Sequence, residues 1–291
     1  MTTNHWKGVG VALVTPFNAD ETIDYKSLLK LLQHTENHVD YWVVHGTTGE
    51  AVTTSSEEKA QILQFVKANN PKNVPIMYGL GGNNTRHVIE ELNRINFDGV
   101  GAILSVSPYY NKPSQSGIVK HYQAIADHAP VPIMLYNVPG RTSSNISVEA
   151  TITLSQHPNI LGIKEASGNL VQCMQIAKDK PHNFLLLSGD DLLTVPSVSF
   201  GAVGVISVLA NALPKEFCQM VHLALHGNYA EATSLLYRFL ALNDLMYVEG
   251  NPVGIKSLME IMGICGATVR PPMDKASMGL SKKIEDALKE F

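Results

Sequence analysis

The chain has 291 residues, of which 45% are hydrophobic and 16% charged. That charged share lies well below the roughly 25% of an average globular domain, so the chain can bury a sizeable core and wholesale disorder is excluded. Twenty-two basic and 26 acidic side chains leave a net charge of −4 with no basic stripe or acidic tail, which argues against a dedicated nucleic-acid binder.

From the N-terminus, MTTNHWKGVG carries neither a charged segment leading into a long apolar run nor an Arg-rich amphipathic helix. The longest nearly apolar stretch, 201–213, is shorter than the ~20 residues that span a bilayer. Cys173, Cys218 and Cys265 are scattered among apolar neighbours, which reads as reduced core filling and not as a disulfide framework or a zinc motif. A soluble, cytoplasmic chain is expected.

Short β-branched or apolar runs predict strands over 8–14, 41–44, 75–79, 99–106, 132–136, 160–164, 184–188 and 204–208. Each is followed by a helical pattern: 25–38, 56–69, 85–96, 115–129, 148–156, 170–178, 192–200 and 214–226. Asp24 is placed to cap the first helix, and Ser55 with Glu58 forms a capping box. Pro214 sits where a helix tolerates a missing N–H. Eight strand–helix units in strict alternation predict a parallel sheet, and eight is the number that closes a (β/α)8 TIM barrel. An open doubly wound sheet is the competing architecture, but no G-x-G-x-x-G follows the first strand and no P-loop motif occurs. The glycine-rich stretch 79–82 is equally well explained by tight turns. Helical patterns over 229–248, 252–262 and 275–288 have no strands between them. The α/β class is therefore expected as a barrel over 1–226 with a C-terminal helical appendage over 227–291.

In such a barrel the chemistry faces the C-terminal ends of the strands. Lys164 ends the run Ile160-Leu161-Gly162-Ile163-Lys164, and period-two alternation puts it on one face with Gly162 and Ile160. That face is the interior if Leu161 and Ile163 pack on the helices. Desolvation there disfavours the ammonium and leaves a free amine to attack a carbonyl. A lysine snorkelling outward from a strand end is the alternative. Tyr136 ends the preceding strand and is placed as a proton carrier, with a relay hydroxyl from Thr47 or Tyr110, or else as an ordinary rim tyrosine. Thr47 and Thr48 lie between Gly46 and Gly49, where hydroxyls and N–H groups can cup a carboxylate, unless the segment is an ordinary glycine turn. Arg141, after Pro139-Gly140, suits bidentate carboxylate capture, unless it is simply a solvated surface cation. His34 and His38 lack the spacing of a zincin motif and read as solvated helix surface. No G-x-S-x-G elbow appears. The Asp190-Asp191 pair serves a cation or a helix dipole equally well.

Six stretches together carry a resemblance: GTTGE (46–50), SPYYNKPSQ (107–115), LYNVPGRT (135–142), GIKEASGN (162–169), LLSGDD (186–191) and GVISV (204–208). In this order and spacing the chain resembles the dihydrodipicolinate synthase family of pyruvate-dependent Schiff-base aldolases and lyases over nearly its whole length. The resemblance implies that Lys164 forms an imine with pyruvate, whose enamine attacks L-aspartate 4-semialdehyde on the diaminopimelate route to lysine. It implies that Thr47, Tyr110 and Tyr136 relay protons, Tyr110 reaching in from a neighbouring subunit. Thr48 is implied as a pyruvate-carboxylate contact, Arg141 as the ligand of the semialdehyde carboxylate, and Gly189 and Ile206 as pocket lining. No metal or organic cofactor is expected, and the assembly is expected as a homotetramer of two dimers.

Related chemistries on this scaffold are N-acetylneuraminate or keto-deoxy sugar-acid lyases. Relatives of that kind more often show GSTGE and lack the arginine after the Tyr-Asn-Val-Pro loop. A non-catalytic keto-acid-binding barrel is a further alternative. Lysine-inhibited members of the family bind lysine with a glutamate, small polar residues and histidines. Here Asn83 and Tyr109 match, but His87 stands at the glutamate's position and Ser56 and Lys59 replace the histidines. Losing an anion and gaining a cation predicts weak or absent lysine feedback.

Overall fold

All eight predicted runs are strands in the computed structural model, which describes residues 3–291. Met1 and Thr2, the start of the predicted barrel segment, lie outside the described residues. The strands are β1 (Gly8–Ala12), β2 (Tyr41–Val44), β3 (Ile76–Gly79), β4 (Ala102–Val106), β5 (Ile133–Asn137), β6 (Ile160–Glu165), β7 (Leu185–Ser188) and β8 (Gly204–Ser207). They pair in sequence order, and β8 returns to β1 with Gly8 opposite Gly204 and Val11 opposite Ser207. The sheet is therefore a closed parallel barrel, and the open-sheet alternative is excluded.

The intervening helices are α1 (Tyr25–Thr35), α2 (Ser56–Ala68), α3 (Thr85–Leu92), α4 (Gln115–His128), α5 (Pro139–Thr142), α6 (Val148–Leu154), α7 (Leu170–Asp179), α8 (Thr194–Ser199) and α9 (Pro214–Leu225). The expected starts hold. Asp24 accepts from the Ser27 N–H, and both halves of the Ser55–Glu58 capping box form. Caps of this kind are worth ~1 kcal/mol each. The one-turn helix α5 was not expected. Pro139 starts it, Ser143 ends it in the left-handed region, and four residues are too few to show helical periodicity. After α9 come α10 (Tyr229–Leu245), α11 (Val253–Ile261) and α12 (Met278–Glu290). The last begins later than its apolar pattern because Ser277 accepts from the Leu280 N–H as its cap.

Two apolar clusters result. The larger lies between the strands and the helical ring. The smaller fills the barrel with Tyr41, Val43, Met77, Leu104, Met134, Leu185, Leu187 and Ile206, and Trp6 packs edge-on against Tyr41 at its N-terminal end. Here the expected alternation of β6 needs correction. Ile160 belongs to the outer cluster and Leu161 to the inner one, the reverse of the simple pattern. The β5–β6 register explains this: Ile133 faces Ile160, but Met134 faces Gly162, so Leu161 is the extra residue of a bulge. Beyond the bulge, Ile163 packs outward while Gly162 and Lys164 point inward. The glycine-rich stretch after β3 also has a different cause from the expected turns. A side chain on Gly79 would overlap the His45 carbonyl, and one on Gly81 would meet the Val106 N–H, so close approach of strand ends demands glycine.

Candidate active site

Past the bulge, Lys164 stands directly opposite Tyr136 in the β5–β6 register. Its Nζ lies 4.2 Å from the centre of the Tyr136 ring, and the residue is 6% exposed. Among the described residues no carboxylate lies within ion-pair distance of that amine. The outward-snorkelling alternative is thus excluded. Gly189, at the end of β7, makes room for the lysine: a Cβ there would come within 2.9 Å of Lys164 Cε and 2.5 Å of Ala166 Cβ. Ile206 is buried in the barrel interior.

The loop after β2 carries Thr47 and Thr48 between two non-glycine residues held at positive φ, His45 (60°) and Glu50 (52°). Such conformations cost energy and persist where the surroundings over-determine them. Consecutive turns close as Gly49 N–H donates to Gly46 O and Glu50 N–H to Thr47 O, while Thr15 Oγ1 donates to Gly49 O at 2.7 Å. Thr48 is buried, and its Oγ1 accepts from Asn251 Nδ2 at 3.1 Å. With a lone pair so occupied, the hydroxyl proton is free to be donated elsewhere. Beneath the loop the Glu50 carboxylate is buried against the Lys256 ammonium at 2.5 Å, and its other oxygen accepts from the Arg270 N–H at 3.0 Å. Lys256 also donates to Thr268 O and lies over the Phe17 ring. Burial lowers the pKa of Lys256, and the adjacent Glu50 carboxylate opposes that shift. Burial likewise pushes His45 down to about 3, so its imidazole is neutral.

Thr47 and Tyr136 line one cavity of about 410 Å³, together with Lys59, Asn83, His87 and Tyr109. The residues singled out for lysine recognition therefore open onto the same space as two of the hydroxyls; Ser56 lines a neighbouring groove with Lys59. Tyr110 is not brought in. It is 87% exposed, with φ at 75°, and its N–H reaches Thr142 O at 3.4 Å. Arg141 is exposed on α5, with no ion-pair partner among the described residues.

Several polar groups around the site were not foreseen. Asn251 and Lys256 reach the threonine loop from more than 200 residues away, and no local pattern announces such contacts. On the outer face of β6, the buried Glu165 carboxylate accepts from Asn137 Nδ2, Gln172 Nε2 and the Ser167 N–H. The acidic pair after β7 caps backbone. Asp190 Oδ1 accepts from the N–H groups of Leu192 and Leu193, and Asp191 Oδ2 from those of Val208 and Leu209. His34 is half-buried and bonded to Ala212 O at 2.9 Å, not a solvated surface group as expected. The three cysteines are free and buried, and burial pushes the thiols of Cys173 and Cys265 up to about 12. No helix among the described residues is long and apolar enough to cross a membrane.

The model of the Dihydrodipicolinate synthetase family matches residues 5–291. A 4-hydroxy-tetrahydrodipicolinate synthase of Cytophaga hutchinsonii is 53% identical over 281 residues, covering 96% of this chain and 95% of its own. One of Parabacteroides distasonis is 47% identical, with 98% and 97% covered. Among solved structures, the chloride-inhibited dihydrodipicolinate synthase of Acinetobacter baumannii, complexed with pyruvate, superposes with a TM-score of 0.94 at 36% identity, covering 98% of each chain.

Proposed function

The chain belongs to the dihydrodipicolinate synthetase family, and from that premise we propose that it condenses pyruvate with L-aspartate 4-semialdehyde to 4-hydroxy-tetrahydrodipicolinate, with the amine of Lys164 as nucleophile. The observation that carries this reading is the buried, unpaired Lys164 against the Tyr136 ring in a closed barrel. Its amine adds to the keto carbon of pyruvate, and loss of water leaves an imine. A proton lost from the pyruvate methyl gives the enamine, whose carbon attacks the aldehyde; the alkoxide formed takes up a proton. The amino group of the semialdehyde then attacks the imine carbon, closing the ring and releasing Lys164. One water is lost overall, and the protonated imine serves as the electron sink.

Tyr136, with Thr47 in the same cavity, handles the proton transfers. The exposure of Tyr110 supports its acting on the site of a neighbouring copy, which makes a dimer the minimal catalytic unit. Thr48 holds the pyruvate carboxylate, and the exposed, unpaired Arg141 receives that of the semialdehyde. Gly189 and Ile206 shape the pocket. A cytoplasmic homotetramer of two dimers is the expected form, with the barrel over 1–226 and a helical subdomain over 227–291. Sugar-acid lyase chemistry and a non-catalytic barrel are not favoured, since the full-length relatives are synthases.

Incubation with pyruvate and borohydride tests the central step. A mass gain on the peptide containing Lys164, absent from Lys164→Ala, is the expected result. No gain in the wild-type chain, or an equal gain in the variant, would overturn the reading.

A further inference from the structure

We infer that Asn137 and Glu165, the residues that follow Tyr136 and Lys164, form a buried clamp that sets the geometry of the reacting pair and of the Arg141 loop, and that Glu165 is its positioning residue. The inference rests on Lys164 being the nucleophile.

The two residues face each other in the β5–β6 register, one step beyond Tyr136 opposite Lys164. Their side chains point to the outer face of the barrel, away from the cavity. There the Glu165 carboxylate is 4% exposed and no cation pairs with it among the described residues. It accepts from Asn137 Nδ2 at 2.9 Å, Gln172 Nε2 at 2.9 Å and the Ser167 N–H at 2.8 Å. An ionised carboxylate only accepts, so it dictates which way both amides turn. Asn137 must then aim its oxygen at the Ile146 N–H, 3.0 Å away, while its nitrogen also reaches Asn145 Oδ1 at 2.8 Å. Asn145 Nδ2 in turn donates to Gln172 Oε1 at 2.9 Å.

The network therefore joins four pieces of chain: the end of β5, the end of β6, the start of α7 and the loop that leaves α5. Tyr136 and Lys164 are one bond from its members, and Arg141 lies between two of them. A buried carboxylate among neutral donors is costly to keep charged, so packing alone gives little reason for it. Orientation does. A glutamine at 165 would turn an NH2 group toward one of three donors and release at least one amide. An error of ~1 Å between reacting groups can cost on the order of a hundredfold in rate.

Two variants separate the parts. In Glu165→Gln the rate of pyruvate trapping by borohydride and kcat are both expected to fall at least about tenfold, with urea unfolding still cooperative. In Asn145→Ala, whose side chain is exposed, trapping is expected to proceed at the wild-type rate while KM for aspartate semialdehyde rises several-fold. A merely stabilising network would move neither the trapping rate of folded protein nor that KM alone. Wild-type trapping and kcat in Glu165→Gln would overturn the inference. Should Glu165→Gln not fold, Asn145→Ala decides: a selective rise in KM supports the clamp, and an unchanged KM overturns it. Absence of any adduct on Lys164 in the wild-type chain is a different outcome, and it removes the lysine nucleophile itself.

Discussion

Lys164 owes its position to Gly189, whose missing side chain leaves room for its Cε, and to the Tyr136 ring beneath its Nζ, while Gly162 on its own strand makes room for Leu185. The cavity that Tyr136 lines with Thr47 explains why lysine is expected to be a poor inhibitor. Lys59 and His87 line it and, among the described residues, no carboxylate does, so a lysine ammonium would find no anion there. Steady-state assays are expected to show an unchanged rate at sub-millimolar lysine, and strong inhibition there would refute the argument. Asp191 offers a second test, because burial pushes its carboxyl up from 3.8 to about 6 and its Oδ1 has no partner among the described residues. Between those two values the folded chain keeps a proton that the unfolded chain has released. Stability from this group therefore falls as pH rises through the window, and a cost on the order of 2–3 kcal/mol is fully present above it. Asp191→Asn is expected to flatten the decline in urea midpoint from about pH 4 to about pH 6; an undiminished slope would assign the decline to other groups.

Among the elements, the threonine loop after β2 and the helix α11 depend on each other through Glu50 and Lys256. Removing one partner of such a pair strands a buried charge, typically at about 3–5 kcal/mol. Lys256→Met is thus expected to lower the urea midpoint markedly and raise KM for pyruvate, since Thr48 sits on the loop that the pair supports. The double variant Glu50→Gln with Lys256→Met is expected to regain much of that stability; equal loss in single and double variants would argue against a coupled pair. Strands and long helices were legible because apolar periodicity and caps are local: the capping box of α2 is written in four consecutive residues, Ser55 to Glu58. The bulge at Leu161 was not legible, because a bulge is a relation between two strands and leaves no mark on one. Nor was α5, a single turn placed by Pro139 and the left-handed Ser143.

For the whole molecule, Tyr110 is 87% exposed on its own chain, and its proposed role on a neighbouring copy has a direct test. Tyr110→Phe and Lys164→Ala should each be nearly inactive alone. Mixed and allowed to exchange subunits, they should recover up to roughly one quarter of wild-type activity, since half the dimers would then hold one intact site. No recovery after exchange verified by mass would place Tyr110 in its own chain's site. By itself the sequence determined the eightfold alternation and the residues at the strand ends, because each rests on contacts between near neighbours, whereas closure of the sheet pairs Gly8 with Gly204. Tertiary structure alone decided which face Lys164 occupies, which carboxylates are buried, and that Asn251 and Lys256 hold a loop two hundred residues away. Those depend on register and on long-range burial, which take shape only when the ring of strands has closed.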